Sequence, residues 1–133
     1  MEIFKIVVLS LSGLLLLYAG LSRAINPIKS FCLKAYLDNP ELKLEGKADM
    51  FNEMRGAGTS LALGGIIILL GTIMSDFRPT SHVVAVVIFI GFAIGRLISK
   101  SLDGKPNNEL FQGTMSEIIL GALNIICLVI ILI

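Results

Sequence analysis

Four stretches of this chain carry no Asp, Glu, Lys or Arg: Ile6–Ser22, Gly56–Ser75, Pro79–Gly95 and Ile118–Ile133. They are 16 to 20 residues long, and a helix needs roughly 17–25 apolar residues to cross a hydrocarbon core about 30 Å thick. Ile3 and Phe4 extend the first run past Lys5, whose apolar stem can carry its ammonium to the interface. The fourth run reaches back to Thr114, with Glu117 one turn inside its start. Open strands would leave backbone groups unsatisfied in lipid, so all four runs are predicted to be spanning helices, over about 3–22, 54–75, 79–98 and 114–133. Composition agrees: 55% of the 133 residues are hydrophobic and 16% charged, against about 45–50% and 25% in soluble domains. The expected fold is all-α, an antiparallel four-helix bundle integral to a membrane, with residues 1–133 forming one domain.

The first run also has the look of a signal peptide. Its leading segment Met1–Lys5 holds one Glu and one Lys instead of a positive cluster, so it is expected to be a retained span. Eleven Lys and Arg against ten Asp and Glu give a net charge of +1, which excludes a nucleic-acid partner. One His and two distant Cys exclude a dense zinc site, an iron–sulfur cluster and a disulfide scaffold, so no metal and no cofactor is expected.

The connections between the runs are unequal. Asp76-Phe77-Arg78 joins the second and third so tightly that they must form a hairpin, whereas 23–55 and 96–117 are long and share the opposite side. Those two loops hold nine of the eleven Lys and Arg; only Lys5 and Arg78 lie with the termini. By the positive-inside rule the long loops are cytoplasmic and both termini are outside, although eight acidic residues share the loop side. Within the first loop, Ile25, Ile28, Phe31, Cys32 and Ala35 recur at helical spacing, which predicts a short amphipathic helix lying in the interface. Asn39-Pro40 ends it, Leu42–Gly46 alternates like a short extended piece, and Asp49 is placed to cap the helix entering the second span.

Charge near the membrane is concentrated on the long-loop side. Glu53 and Arg55 stand just before the second run; Arg96, Ser99 and Asp103 share one helical face after the third; Glu117, Gly121 and Asn124 share one face of the fourth. Charges at that depth are costly against lipid and should turn inward and pair. Two readings stand: a polar pocket that receives a small ligand or lipid head group, or an ion-pair clasp that fixes helix docking. Asn124 lies mid-span, where an amide bonds between helices more often than it lines a ligand cavity. Small residues at Gly56, Ser60 and Gly64, and at Gly91 and Gly95, recur every fourth position and are assigned to close helix packing, expected to be internal to the four-span bundle, with a homo-oligomer seam as the alternative. His82, beside the tight hairpin, is expected to be exposed at the interface, and Cys127 to be buried, out of reach of Cys32 on the other side. No nucleophile–base pair is visible, so no catalytic residue is assigned.

Asn52-Glu53-Met54-Arg55-Gly56, then Gly95-Arg96-x-x-Ser99-x-x-x-Asp103-Gly104-x-Pro106, then Glu117, form an order of motifs that resembles the bacterial domain-of-unknown-function 4345 family of small four-helix membrane proteins. The resemblance runs from the first span to the last. It implies a multi-pass protein of the bacterial inner membrane and treats Arg55, Arg96, Ser99, Asp103 and Glu117 as one set; it implies no activity. Three functions follow as expectations: binding of a membrane lipid or small amphipathic ligand at the polar end, an accessory role packing against a membrane-protein partner, or an enzyme using Glu53 or Glu117 as acid/base. The first leads, and an enzyme is the weaker reading.

Overall fold

The computed structural model describes residues 1–30 and 47–133. Among these, four long helices carry the fold: α1 (Glu2–Ile25), α2 (Lys47–Ile73), α3 (Arg78–Asp103) and α4 (Asn108–Leu132). Each is long and apolar enough to cross a membrane. The proposed interfacial helix, the extended piece at Leu42–Gly46 and Cys32 lie outside the described residues, apart from a single 3-10 turn at Pro27–Lys29.

The helix ends follow local chemistry. Asn107 caps α4 by accepting a hydrogen bond from Leu110 N–H at 2.8 Å. Pro79 sits in the first turn of α3, where its missing N–H costs nothing. Gly104 ends α3 at φ +103°, a conformation that favours glycine. Asp49 is not the cap of α2: the helix already starts at Lys47, and Asp49 lies inside its first turn, where a carboxylate suits the helix dipole. A 3-10 turn at Ser75–Phe77 links α2 to α3, as tight a connection as the three-residue spacing required.

Packing is closest between α1 and α2, and it depends on glycine. A methyl group built on Gly58 would stand 2.7 Å from the Gly20 carbonyl oxygen, and one on Gly65 would stand 2.7 Å from Leu17 N. The two backbones therefore touch, along Gly13 and Gly20 of α1 and Gly58, Ala62 and Gly65 of α2. This corrects the expected stripe. Gly56 has nothing within 4 Å of an added carbon and Ser60 is exposed; Gly64 alone of that set meets a neighbour, Ile88 of α3. Gly91 and Gly95 also face open space, so they do not pack internally.

The enclosed core is small: Leu9, Leu16, Leu61, Ile68, Ala85 and Phe89, with Val84, Ile88, Phe92 and Leu120 around it. Many large apolar side chains point outward instead, including Leu14, Val87 and Ile126 at 58%, 66% and 50% exposure. Helices apolar on every side suit a lipid surround, because water would oppose so much exposed hydrocarbon.

Candidate functional site

Polar side chains inside the bundle fall at three levels, and the sequence-predicted set is divided among them. At the level of the longer connections, α3 and α4 meet through Arg96 and Glu117. Arg96 Nε lies 2.8 Å from Glu117 Oε2, with the side chains only 17% and 13% exposed. The N–H is not aimed along that line, so the contact is an ion pair without a formal hydrogen bond. Two guanidinium groups flank one ring: Arg96 Cζ is 5.9 Å and Arg23 Cζ 5.6 Å from the Phe92 centroid, within cation–π range.

Arg23 and Phe92 were not among the expected residues. Arg23 is 8% exposed and continues the buried face of α1 through Leu9, Ser12, Leu16 and Gly20, a helical progression that could have singled it out. The other expected residues do not join this pair. Arg55 is exposed and its Nη1 donates to the carbonyls of Ala24 and Ile25, closing the end of α1 where free carbonyls and the negative end of the dipole favour a cation. Ser99 Oγ donates to Asp103 Oδ2 at 2.8 Å, one turn along the same exposed face. Glu53 is exposed and makes no ion pair among the described residues.

Asn124 belongs to a second level, deep in the bundle. Its Nδ2 donates to the Leu120 carbonyl and to Ser12 Oγ, both at 2.8 Å. Because a carbonyl can only accept, this fixes the amide orientation and leaves Oδ1 as the acceptor for His82 Nδ1, also at 2.8 Å. His82 therefore carries its proton on Nδ1. It is 0% exposed, not interfacial: its ring turns inward from the start of α3 because Asn124 offers the partner that lipid cannot. Cys127 is fully buried, as expected. The network joins α1, α3 and α4, so Asn124 acts as a link between helices.

The third level is at the opposite end. Glu2 meets Lys5 at 2.7 Å and also Arg78, whose Nε donates to the Gly71 carbonyl at 3.0 Å. This cluster ties α1 to the tight link between α2 and α3.

Two cavities border the first level. A groove of about 730 Å³ runs between α2 and α3, lined by Met50, Met54 and Ala57 on one side and Val87, Gly91, Gly95 and Ser99 on the other. Arg23, Ile88, Phe92 and Arg96 close its inner wall. Behind that wall, a pocket of about 120 Å³ is bounded by Arg23, Phe92, Arg96 and Glu117 together with residues of α1 and α4. It has room for a few waters, far less than the ~300–1,000 Å³ typical of ligand sites. The groove falls inside that range.

The family profile described as "Domain of unknown function (DUF4345)" matches residues 4–128, nearly the whole chain, and the chain belongs to that family. No curated protein and no solved structure matches it.

Proposed function

We propose that this protein is a bacterial inner-membrane protein of four antiparallel spans that holds a lipid or small amphipathic ligand at its long-loop end, with those loops cytoplasmic and both termini outside. One observation carries the reading. The groove between α2 and α3 is lined by apolar residues and glycine apart from Arg23, Arg96 and Ser99, which lie toward its long-loop half. An amphiphile has the matching division, a chain for the apolar part and a polar head for the guanidinium end. Pairwise contacts support the antiparallel order: Gly13 lies against Leu69 and Gly20 against Ala62, while His82 bonds Asn124 and Arg96 pairs Glu117.

The Arg96–Glu117 pair serves the site as a support. It holds Arg96 at the wall between groove and pocket, so clasp and ligand site are two uses of one contact. Native mass spectrometry of the protein extracted with its own lipids tests the reading. A retained amphiphile on the wild type, lost in a folded Arg96→Ala variant, is the expected result; bare protein in both would contradict it.

A second reading, an accessory subunit docking on a larger membrane protein, is favoured by the open face at Gly91 and Gly95, where another helix could approach closely. The acid/base reading stays the weaker one, since Glu53 is exposed and Glu117 is ion-paired with Arg96.

A further inference from the structure

The groove has a shape, a length and a sign of charge that narrow what fits it. Along α3, Val87, Gly91, Gly95 and Ser99 line it at successive steps of four, so its floor follows a single helical row. At Gly91 and Gly95 the floor is bare backbone: an added carbon would meet nothing within 4 Å. At about 1.5 Å rise per residue, the stretch from Gly95 back to Val87 is ~12 Å long. That is most of one leaflet's ~15 Å of hydrocarbon, half of a ~30 Å core. On the α2 side Ala57 lines the groove beside the floor, and Met50 and Met54, nearer the long-loop end of that helix, supply flexible thioethers that adapt to an apolar guest at its mouth.

The charged lining is of one sign. Arg23 and Arg96 border the groove, and none of its described lining residues is acidic. Glu117 stands behind the wall, in the small pocket, and meets Arg96 through Nε. Apart from that ion pair and its contact with the Phe92 ring, Arg96 makes no polar contact among the described residues. Its two Nη groups thus keep the planar fork that takes a pair of anionic oxygens.

We infer that the groove seats an acidic phospholipid of the leaflet on the long-loop side. Its phosphate takes the Arg96 Nη fork, and one acyl chain lies along the glycine floor of α3 toward Val87. This rests on the amphiphile reading and specifies its ligand. Arg96 and Glu117 together act as a positioned donor, with Glu117 holding the guanidinium so that its outer edge faces the head group.

The test is native mass spectrometry of the full chain from nanodiscs of equal phosphatidylglycerol and phosphatidylcholine. Wild type, Arg96→Lys and Gly95→Leu are compared, with folding checked by circular dichroism. Arg96→Lys keeps a cation for Glu117 and removes the fork. Gly95→Leu fills the floor at a position where an added Cβ meets no neighbour within 4 Å. Phosphatidylglycerol should be retained over phosphatidylcholine on the wild type by about tenfold, a fork's worth of charge-assisted bonding. That preference should fall toward unity in Arg96→Lys, and both lipids should be lost from Gly95→Leu.

Equal retention of the two lipids by the wild type would overturn the acidic assignment while leaving an amphiphile site in place. Absence of both would overturn the assignment and the amphiphile reading together. Retention by Gly95→Leu would overturn the chain's place on the glycine floor. A dimer of the wild type abolished by Gly95→Leu would give the groove to a second copy of the chain.

Discussion

Asn124 bonds side chains of two other helices, Ser12 of α1 and His82 of α3. Removing it leaves the His82 Nδ1–H as a buried donor with no acceptor, so Asn124→Leu should destabilise the bundle by roughly 1–3 kcal/mol. Adding His82→Phe should recover much of that loss, because an apolar pair needs no bond. Equilibrium unfolding in mixed micelles of the two single variants and the double variant measures the coupling, and full additivity would contradict it. Arg96 and Glu117 follow the same asymmetry. Glu117→Gln leaves Arg96 half-enclosed without its counter-charge and should cost about 1–3 kcal/mol, less than the ~3–5 of a fully buried pair because both side chains keep some exposure. At this scale the sequence was informative for Arg96, Glu117 and Asn124, since a charge or amide beside an uncharged run has to find a partner. It misled for His82, whose nearness to a turn was read as exposure. That Asn124 lies across the bundle from it is a tertiary fact, invisible in the spacing of either helix. Arg55 was read as one of the inward charges, yet the nearest unsatisfied groups to it are the last carbonyls of α1.

At the scale of helices, glycine divides into two uses that its spacing alone does not separate. Gly58 and Gly65 place α2 in backbone contact with α1, while Gly91 and Gly95 of α3 face open space. Either Gly58→Leu or Gly65→Leu should therefore prevent native packing, since backbone atoms rather than a flexible side chain stand in the way. Gly91→Ala should be tolerated or stabilise α3 by up to ~1 kcal/mol through helix propensity. Thermal unfolding of the three variants in one detergent decides it; a collapse of the Gly91→Ala protein would show that α3 packs where the structure leaves it open. The four helices themselves were legible because an uncharged run of this length has few alternatives. Which rows of small residues face inward was not, because Gly56/Ser60/Gly64 and Gly58/Ala62/Gly65 lie on nearly opposite sides of one helix and both rows read as packing faces. Helices apolar on all sides give little sign of which side is inside.

For the molecule as a whole, charge is tied down at both ends and the polar bonds between sit in a thin core. Glu2 and Arg78 close one end; Arg96 and Glu117 close the other, beside the groove. The proposed orientation predicts that a cysteine placed at Lys105 in a Cys32→Ala/Cys127→Ala background reacts with a membrane-impermeant maleimide only in inside-out vesicles. One placed at Ser75 should react only in right-side-out vesicles, and the reverse pattern would invert the orientation. Family membership covers residues 4–128 and names no activity, so the groove bears the functional reading. The most direct measurement is photocrosslinking in vesicles with phosphatidylglycerol carrying a diazirine on its acyl chain, followed by mapping of the labelled peptides. Label concentrated on the segments around Met50–Ala57 and Val87–Ser99, and displaced by Gly95→Leu, is the expected result. Label spread evenly over the outward faces of α1 and α4 would mean that the groove holds its lipid no differently from the rest of the bilayer, and the proposal would fall.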